Sequence, residues 1–291
     1  MGKAGKGTFL LGVGAQKAGT SWLHAYLHGR DDADFGFLKE YHVHDARTVE
    51  SLNPFRSLAR QRGLRRTWGE LQLWARPRTR RRWGFIQHPE RYFDYFEGLL
   101  ARPGIRLTGD ITPSYACLEA DTFAAIHQAL EERGIRLRVV FLLRDPLERI
   151  ISSVRMNRRK KGLSDTAEEV EALRHAAQRR PRGMENRSDY RRTLENLDRA
   201  LPPEAVHVGF YETLFNPEGI AEICDHLEVP PTPAPFTTRV NAGSSAGLDD
   251  LPTDALADLG RWQRETYRYC LERFAERDLG RLWPTASRYC S

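Results

Sequence analysis

The sequence has little cysteine and no long apolar segment. Its four cysteines are far apart and form no CxxC pair, which argues against a zinc site and a disulfide framework. They are Cys117, Cys224, Cys270 and Cys290. The first apolar run, at residues 8–13, is too short to span a bilayer and leads into a glycine loop instead of a cleavage site. We therefore expect reduced thiols and a cytoplasmic location without a membrane anchor.

Lysine is also scarce, with six lysines against 39 arginines, and this bias suggests a bacterial chain from a GC-rich genome. The 291 residues, 40% of them hydrophobic, are enough to bury one full α/β core. Residues 89–100 and 122–133 have helical spacing, and residues 205–214 read as a strand and turn. That length allows one core with some decoration, or at most two domains, and we expect residues 1–291 to form a single domain.

Acidic residues are nearly missing from residues 56–82, which hold ten arginines and a single acidic residue, Glu70. This stretch lies in a basic insert, defined here as residues 47–88, where tryptophan and leucine recur at roughly helical spacing. Such a helix could lie peripherally on an anionic membrane or hold an acidic glycan or lipid substrate. The alternative is a solvated helix whose aromatic side packs on the sheet. No nucleic-acid-reading motif accompanies the charge, so nucleic acid is not an expected partner.

An apolar strand at residues 8–13 runs into a glycine-bearing loop that opens a helix, which is the layout of a phosphate cradle. Gly14 and Gly19 have the Walker A spacing, but Thr20 stands where a Walker loop has lysine, and Lys17 lies inside the loop. The N–H groups expected to face the anion are those of Gly19, Thr20, Ser21 and Trp22. The pattern predicts a phosphate site that is not a nucleoside-triphosphatase loop. The alternative is a plain strand-to-helix connection.

A second strand carries an arginine at its carboxyl end. Residues 138–143 have the pattern of a buried strand, Arg144 and Asp145 follow, and Ser152 lies on the helix that begins at Pro146. Arg144 is thus well placed to meet a ligand in an open α/β sheet. The alternative is a helix-capping ion pair with a solvated hydroxyl. The alternation of strands and helices predicts an α/β chain with a three-layer, P-loop-like fold and a central parallel sheet flanked by helices.

Three segments together resemble one enzyme family: AQKAGTSWL at residues 15–23, KEYHVHD at residues 39–45 and RDPLERIISS at residues 144–153. The chain resembles the sulfotransferases that use 3′-phosphoadenosine 5′-phosphosulfate (PAPS), and most of all the heparan sulfate 3-O and N types. The resemblance implies that Arg144 and Ser152 hold the 3′-phosphate and that the first segment wraps the 5′-phosphosulfate. The donor-binding residues implied in that segment are Gln16, Lys17, Ala18, Gly19, Thr20, Ser21 and Trp22. A later loop would close the nucleotide site with Arg239 and Gly243.

The resemblance also implies catalytic roles. Glu40 maps to the general base that takes the proton of the acceptor hydroxyl, and His42 and Asp45 map to supporting positions. Lys17 would place a positive charge near the bridging oxygen, so no metal is expected. Two alternatives are Glu40 as a surface carboxylate paired with the preceding lysine, and His42 with His44 as a metal pair. The metal pair is disfavoured because alternate residues of a strand point to opposite faces and no further ligand completes the set.

The resemblance therefore implies in-line transfer of a sulfuryl group from PAPS to a hydroxyl of a glycan, lipid or small molecule, with 3′-phosphoadenosine 5′-phosphate (PAP) as product. Residues 158–187 are polar, and an expected helix at residues 165–178 is flanked by mobile loops that could cover the acceptor. One departure is Ile111, where the 3-O enzymes have lysine. The alternative function is a P-loop-like nucleotide-binding protein or kinase relative that docks on an anionic membrane or partner. A kinase should need magnesium and carry lysine at the position of Thr20.

Overall fold

A parallel β-sheet lies at the centre of the fold. The computed structural model describes residues 6–50, 76–163, 165–236 and 251–289. The strands are β1 (Thr8–Gly14), β2 (Leu107–Ile111), β3 (Arg136–Leu143) and β4 (Val206–Phe210). They run parallel in the order β2-β1-β3-β4, so their carboxyl ends lie at one edge of the sheet. The predicted parallel sheet is confirmed.

Helices connect and flank these strands, and β1 and β2 are buried along their whole length. Burial on both faces explains the mostly apolar sequence of β1, whereas β2 carries the buried polar residues Thr108 and Asp110. Before β3 come α1 (Thr20–His28), α2 (His44–Thr48), α3 (Pro77–Gln87), α4 (Pro89–Leu100) and α5 (Ala120–Glu131). Between β3 and β4 lie α6 (Pro146–Lys160), α7 (Thr166–Arg179), α8 (Arg182–Asn186) and α9 (Tyr190–Ala200). After β4 come α10 (Tyr211–Leu214), α11 (Pro217–Leu227), α12 (Thr253–Arg273), α13 (Leu279–Leu282) and α14 (Thr285–Tyr289). Short 3-10 turns occupy Pro113–Cys117, Pro203–Ala205 and Ala275–Arg277. Within the described ranges, no helix has the length and apolarity needed to cross a bilayer.

A cluster of aromatic rings packs beside β1 and supports the segment that follows α1. The ring of Phe9 meets that of Phe96 edge to face, with centroids 4.9 Å apart. Tyr41 packs on the same Phe96 ring at 5.1 Å and on Tyr92 at 6.1 Å. Each fully buried aromatic side chain stabilises the fold by about 2 kcal/mol, so this cluster fixes residues 39–45 beside the carboxyl edge of the sheet.

The end of the basic insert forms α3, whereas residues 51–75 lie outside the described residues. Phe85 and Ile86 on α3 are buried, whereas Arg80 and Arg81 on the same helix are exposed. The Arg81 guanidinium lies 4.3 Å from the centroid of the Tyr95 ring, a cation–π contact. This part of the insert therefore matches the interpretation of a helix whose aromatic side packs on the protein. Membrane or substrate contact by the whole insert stays a prediction.

The arginine-rich stretch at residues 158–187 is largely helical where it is described. The expected helix at residues 165–178 is confirmed by α7, whose Leu173 is fully buried. α7 packs against α6 and α12, so one face of this stretch belongs to the core. Its expected role as a mobile cover over the acceptor stays a prediction.

Three of the four cysteines lie in the described part of the chain as buried free thiols. Burial raises the pKa of Cys117 to about 11 and the pKa of Cys270 to about 12. Both thiols therefore stay protonated at neutral pH, which makes them poor nucleophiles. Cys290 lies outside the described residues.

Candidate active site

The loop between β1 and α1, here called the phosphate loop (residues 14–19), is folded tightly against the sheet edge. The Ala15 N–H donates to the Leu142 carbonyl at 2.6 Å, and Lys17 and Gly19 both adopt positive φ angles, 74° and 85°. A Cβ on Gly19 would lie 2.5 Å from Cδ2 of the buried Leu214, so a side chain at this position would force the Leu214 side chain to move. The glycine predicted to bend the loop is therefore required by both backbone angle and packing.

The helix that follows presents an open N-terminus. No side chain caps α1, so the N–H groups of its first turn and the positive end of its dipole are available to an anion. One expected donor differs from the prediction: the Trp22 N–H donates to the Gly19 carbonyl at 2.9 Å. The Trp22 ring is buried and stacks on Phe236 and Tyr26 with centroids 5.9 and 5.8 Å away. The uncapped N–H groups of Thr20 and Ser21 remain suited to a phosphate.

Five cationic groups converge on this loop. Lys17 is half-buried, and its pKa is lowered first by burial and then by the charges of Arg159, Arg144, Lys160 and Lys39. The Lys17 ammonium makes no hydrogen bond or ion pair within the part of the chain that the structure describes. A concentration of like charge of this kind favours binding of a polyanion. The donor set, amide N–H groups together with Lys17 and the cations around it, fits a phosphate or phosphosulfate group.

Arg144 stands at the carboxyl end of β3 and turns toward the phosphate loop. Its Nη1 donates to the Lys17 carbonyl at 3.1 Å, its Nη2 pairs with Glu148 Oε2 at 2.8 Å, and its guanidinium lies 4.3 Å from the Tyr211 ring centroid. Arg144 therefore contacts the phosphate loop directly. The alternative of a capping ion pair accounts for the Glu148 contact only.

The cap of α6 comes from the next residue, Asp145. Its carboxylate accepts the Leu147 N–H at 3.0 Å and the Glu148 N–H at 3.2 Å, and Pro146 occupies the first helical turn as predicted. Ser152 lies half-buried further along α6. Its neighbour Ser153 is buried and lies 3.4 Å from Gln16 Oε1, a contact between helix and loop that the sequence did not indicate.

Residues 39–45 form a chain of charged hydrogen bonds. Lys39 Nζ donates to Glu40 Oε1 at 2.5 Å. The His42 ring bridges two carboxylates, with Nε2 3.2 Å from Glu40 Oε2 and Nδ1 2.8 Å from Asp45 Oδ2. Ser114 Oγ also donates to Asp45 Oδ2. Glu40, His42 and Asp45, which the sequence predicted as a group, are therefore brought together by direct contacts.

These contacts decide the protonation states of Glu40 and His42. Burial opposes charge on His42, but its hydrogen bonds to Asp45 and Glu40 outweigh burial and raise its pKa to about 9. Burial alone would raise the pKa of Glu40, but His42 and Lys39 lower it to about 2. At neutral pH, His42 is therefore an imidazolium that donates to two carboxylates. The Glu40 side chain stays 36% exposed, which leaves it accessible to an acceptor.

The strand assumed at residues 39–45 when a metal pair was considered is not present. Residues 39–43 are irregular, and α2 begins at His44. The two rings nevertheless diverge, because His44 is buried against Tyr92, with ring centroids 5.0 Å apart, while His42 contacts Asp45. Burial lowers the pKa of His44 to about 4. No group of metal-binding side chains occurs among the residues described.

Ser114 and Asp110 are site residues that the sequence interpretation missed. Ser114 could have been found from the TPSY segment, because it is the polar residue that follows the proline. Asp110 resembles any polar residue at a strand end. Arg239 and Gly243, expected in a closing loop, lie outside the described residues and stay predictions.

The phosphate loop, the open helix and the parallel sheet define a P-loop-like α/β protein. The sequence profile of the Sulfotransferase family matches residues 10–233, so the chain belongs to this family. The match favours sulfuryl transfer over the kinase-relative alternative. No curated protein matches the sequence.

A solved structure of a sulfotransferase shares the fold. A crystal structure of a sulfotransferase from Alicyclobacillus acidocaldarius is similar at a TM-score of 0.63 and 18% identity, covering 94% of this chain and 98% of that one. The sulfotransferase domain from the curacin biosynthetic pathway is similar at a TM-score of 0.44 and 19% identity, covering 84% and 82% of the two chains. At such identities, the first likeness concerns the fold.

Proposed function

We propose that this sulfotransferase transfers the sulfuryl group of PAPS to a hydroxyl of a glycan, lipid or small molecule, with Glu40 as general base. One observation carries the proposal. The Lys39 charge acts on Lys17 of the phosphate loop, and the same Lys39 ammonium donates to Glu40 at 2.5 Å. The hydrogen-bonded group of Glu40, His42 and Asp45 therefore lies within electrostatic reach of the phosphate loop, which supports assigning both to one site.

The donor would be held by charge and by fixed dipoles. Lys17 and the first-turn N–H groups of α1 would hold the 5′-phosphosulfate, and Arg144 with Ser152 would hold the 3′-phosphate. When bound, the donor supplies an activated sulfuryl group whose departure leaves negative charge on a phosphate oxygen. Lys17 stabilises that charge, because a preorganised cation in a half-buried site needs no reorganisation. Binding and orientation by these residues supply most of the catalysis, by analogy with phosphoryl transfer.

Glu40 would accept the proton of the attacking hydroxyl. A carboxylate with a pKa of about 2 is a weak base, but it suffices when the hydroxyl loses its proton late, as the bond to sulfur forms. His42 is the competing candidate for the base. Because its pKa is raised to about 9, His42 already carries a proton at neutral pH and is better suited to hold Glu40 in place.

We extend the proposal to the acceptor side through the basic insert. Arg47 Nη1 donates to the Ile86 carbonyl at 2.6 Å, which ties α3 to α2, the helix that begins beside Asp45. Helix α3 is rich in arginine and lies next to the segment that carries Glu40 and Asp45. Its charge suits an acidic acceptor, such as a sulfated or carboxylated glycan, or an anionic membrane that presents a lipid acceptor. Similarity to the heparan sulfate 3-O and N enzymes, a cytoplasmic location and a bacterial origin belong to the same proposal.

Calorimetric titration with PAP, AMP and ATP-Mg tests the donor. We expect PAP to bind wild-type protein at least about 10-fold more tightly than AMP, since a charge-assisted contact to the 3′-phosphate contributes about 1.5–3 kcal/mol. Arg144→Ala should lose this preference while binding of AMP changes little. Equal or tighter binding of ATP-Mg would overturn the proposal.

The base is tested in the same preparation. Glu40→Gln keeps the shape of the side chain and should bind PAP as wild type does, while turnover with PAPS falls by about 100-fold or more. Asp121→Asn, a change at an exposed carboxylate on α5, is the matched control and should leave both unchanged. Full activity in Glu40→Gln would remove Glu40 as the base.

A further inference from the structure

A buried carboxylate lies directly beneath the segment that carries Glu40. Asp110, near the end of β2, has no exposed surface. Its Oδ2 accepts hydrogen bonds from the hydroxyls of Tyr115 at 2.8 Å and Tyr92 at 3.0 Å, and its Oδ1 accepts one from Thr112 Oγ1 at 2.6 Å. The Tyr41 N–H points to the same Oδ1 at 3.3 Å. This carboxylate is the common acceptor of four donors.

Two of those donors, Thr112 and Tyr115, also accept backbone hydrogen bonds on either side of His42. The Thr112 hydroxyl donates its hydrogen bond to Asp110, so a lone pair of its oxygen faces the Tyr41 N–H, and the two atoms lie 3.1 Å apart. The Tyr115 hydroxyl likewise donates its hydrogen bond to Asp110, so a lone pair of its oxygen faces the Val43 N–H at 3.1 Å. A hydroxyl has a single proton, and Asp110 decides where that proton points in both cases.

The backbone held in this way is strained. His42, between the two anchored N–H groups, has a φ of 52°, a left-handed conformation that side-chain-bearing residues disfavour by about 1 kcal/mol or more. That conformation directs the His42 ring at both Glu40 and Asp45. Without fixed anchors on both sides, the segment would relax toward an ordinary backbone conformation and the bridge between the carboxylates would be lost.

We propose that Asp110 is a positioning residue for the catalytic base, acting through Thr112 and Tyr115 on the backbone at Tyr41 and Val43. The inference rests on the proposed role of Glu40. Asp110 touches neither donor nor acceptor. It fixes two N–H groups on either side of His42, and His42 in turn holds the Glu40 carboxylate.

The chemistry requires a carboxylate at this position. An asparagine offers one acceptor oxygen, and its amide N–H groups would face either the hydroxyl of Thr112 or those of Tyr92 and Tyr115. Burial raises the pKa of Asp110 to about 6. This value is still below neutral pH, so the carboxyl group is ionised there and accepts a hydrogen bond from each of its donors. The titratable groups around it are Tyr41, Tyr92 and Tyr115, and the neutral ring of His44 packs on both Tyr92 and Tyr115.

Two tyrosines form a matched pair for the test. Tyr92 and Tyr115 are both fully buried and both donate to Asp110 Oδ2, but of the two only the Tyr115 hydroxyl also accepts the Val43 N–H. Each is changed to phenylalanine, which removes one hydroxyl and keeps the ring. Both variants should lose comparable thermal stability. Tyr115→Phe should lower kcat by about 10-fold or more, because misplacement of a catalytic group by about 1 Å can reduce the rate 100-fold.

The remaining readouts separate positioning from general loosening. Tyr92→Phe should keep kcat within about 2-fold of wild type, a change that corresponds to less than about 0.5 kcal/mol, and Kd for PAP should be unchanged in both variants. In protein labelled at histidine, nuclear magnetic resonance titration should show the His42 pKa shifted toward its ordinary value in Tyr115→Phe and in Asp110→Asn, but not in Tyr92→Phe. Asp110→Asn should show the larger loss of kcat.

The outcomes distinguish this inference from the proposed function. Equal effects of Tyr115→Phe and Tyr92→Phe on kcat and on the His42 pKa would overturn the positioning role. Full turnover in Glu40→Gln would instead overturn the assignment of Glu40 as the general base. The histidine titration would still report whether Asp110 holds residues 39–45 in place. If Asp110→Asn does not fold, the two phenylalanine variants give the decision by themselves.

Discussion

His42 carries the electrostatics of the site at the scale of a single residue. Its ring lies between Glu40 and Asp45, at 3.2 and 2.8 Å, and only 21% of its side chain is exposed. A charged hydrogen bond in such a setting stabilises the fold by about 1.5–3 kcal/mol. The charge state of His42 therefore couples the stability of the protein to pH.

The direction of this coupling follows from the raised pKa. A histidine titrates near 6.5 in the unfolded chain and at about 9 here, so the folded protein holds its proton more tightly. The stabilisation is complete below pH 6.5 and is lost as the pH rises through 9. We expect the free energy of unfolding to fall by about 2 kcal/mol more in wild type than in His42→Gln over this window, as measured by urea titration at several pH values.

His88→Gln is the control for that measurement. His88 is about half exposed and lies 3.4 Å from Glu90, an exposed pair of a kind that contributes little. It should leave the pH dependence of wild type intact. Parallel curves for wild type and His42→Gln between pH 6.5 and 9 would contradict the charged bridge.

Sequence reasoning reached the charged residues of this chain because their spacing matched a family segment, and it missed the residues beneath them. Glu40, His42 and Asp45 lie within six positions of one another. Ser114 and Asp110 contact that segment from about 70 positions away. Nothing in a local pattern tells whether a buried polar residue at a strand end bonds to its own neighbours or to a distant segment.

At the scale of elements, long periodic segments were predicted well and short ones were not. The helices expected at residues 89–100 and 122–133 correspond to α4 (Pro89–Leu100) and α5 (Ala120–Glu131). The short α2 and the turn at Pro113–Cys117 were not predicted, since segments of five residues have too little periodicity to register. Both pack beside the active site, where tertiary contacts and not propensity fix the backbone.

The loop between β1 and α1 can be tested with two glycines of matched conformation. Gly19 and Gly104 have φ angles of 85° and 82°, so alanine causes similar backbone strain at both, about 1 kcal/mol or more. A Cβ at Gly104 has open space, whereas at Gly19 it would lie 2.5 Å from a Leu214 side-chain carbon. We expect Gly104→Ala to lower the melting temperature and keep PAP affinity.

Gly19→Ala should lower PAP affinity by about 10-fold or more, because the collision displaces the N-terminus of α1 and its N–H groups. Calorimetry on both variants at a temperature well below either melting point gives the comparison. If the two variants bind PAP equally well, the loop does not depend on the close approach of α10, the helix that carries Leu214.

At the scale of the whole molecule, the site is assembled from four distant stretches on one sheet edge. The order β2-β1-β3-β4 places the phosphate loop after the central β1, with Asp110 on one side and Arg144 on the other. The sequence predicted parallel strands and a ligand at their carboxyl edge, but strand order is decided by packing of the connections. The C-terminal helices were likewise not linked to the site by any motif.

The C-terminal helices α12 and α14 contact the turn beside Arg144, on the donor side of the site. The Tyr267 hydroxyl donates to Asp145 Oδ1 at 2.6 Å and accepts the Leu147 N–H at 3.1 Å, and Thr285 on α14 donates to the other Asp145 oxygen. Asp145 follows Arg144 directly. The turn that aims Arg144 at the phosphate loop is therefore held by residues more than 100 positions away, and donor affinity should depend on them.

Replacement of Tyr267 by phenylalanine tests this dependence. The buried Asp145 carboxylate and the Leu147 N–H each lose a partner, which costs about 1–3 kcal/mol of stability, and the turn at Arg144 loosens. We expect Kd for PAP to rise about 5- to 10-fold, equivalent to about 1 kcal/mol, with little change in AMP binding. Tyr269→Phe is the matched control, because Tyr269 lies on the same helix, is partly exposed, and has its hydroxyl 3.4 Å from Arg273. A Tyr267→Phe protein that melts earlier yet binds PAP as wild type does would mean that the C-terminal helices stabilise the fold without setting the position of Arg144.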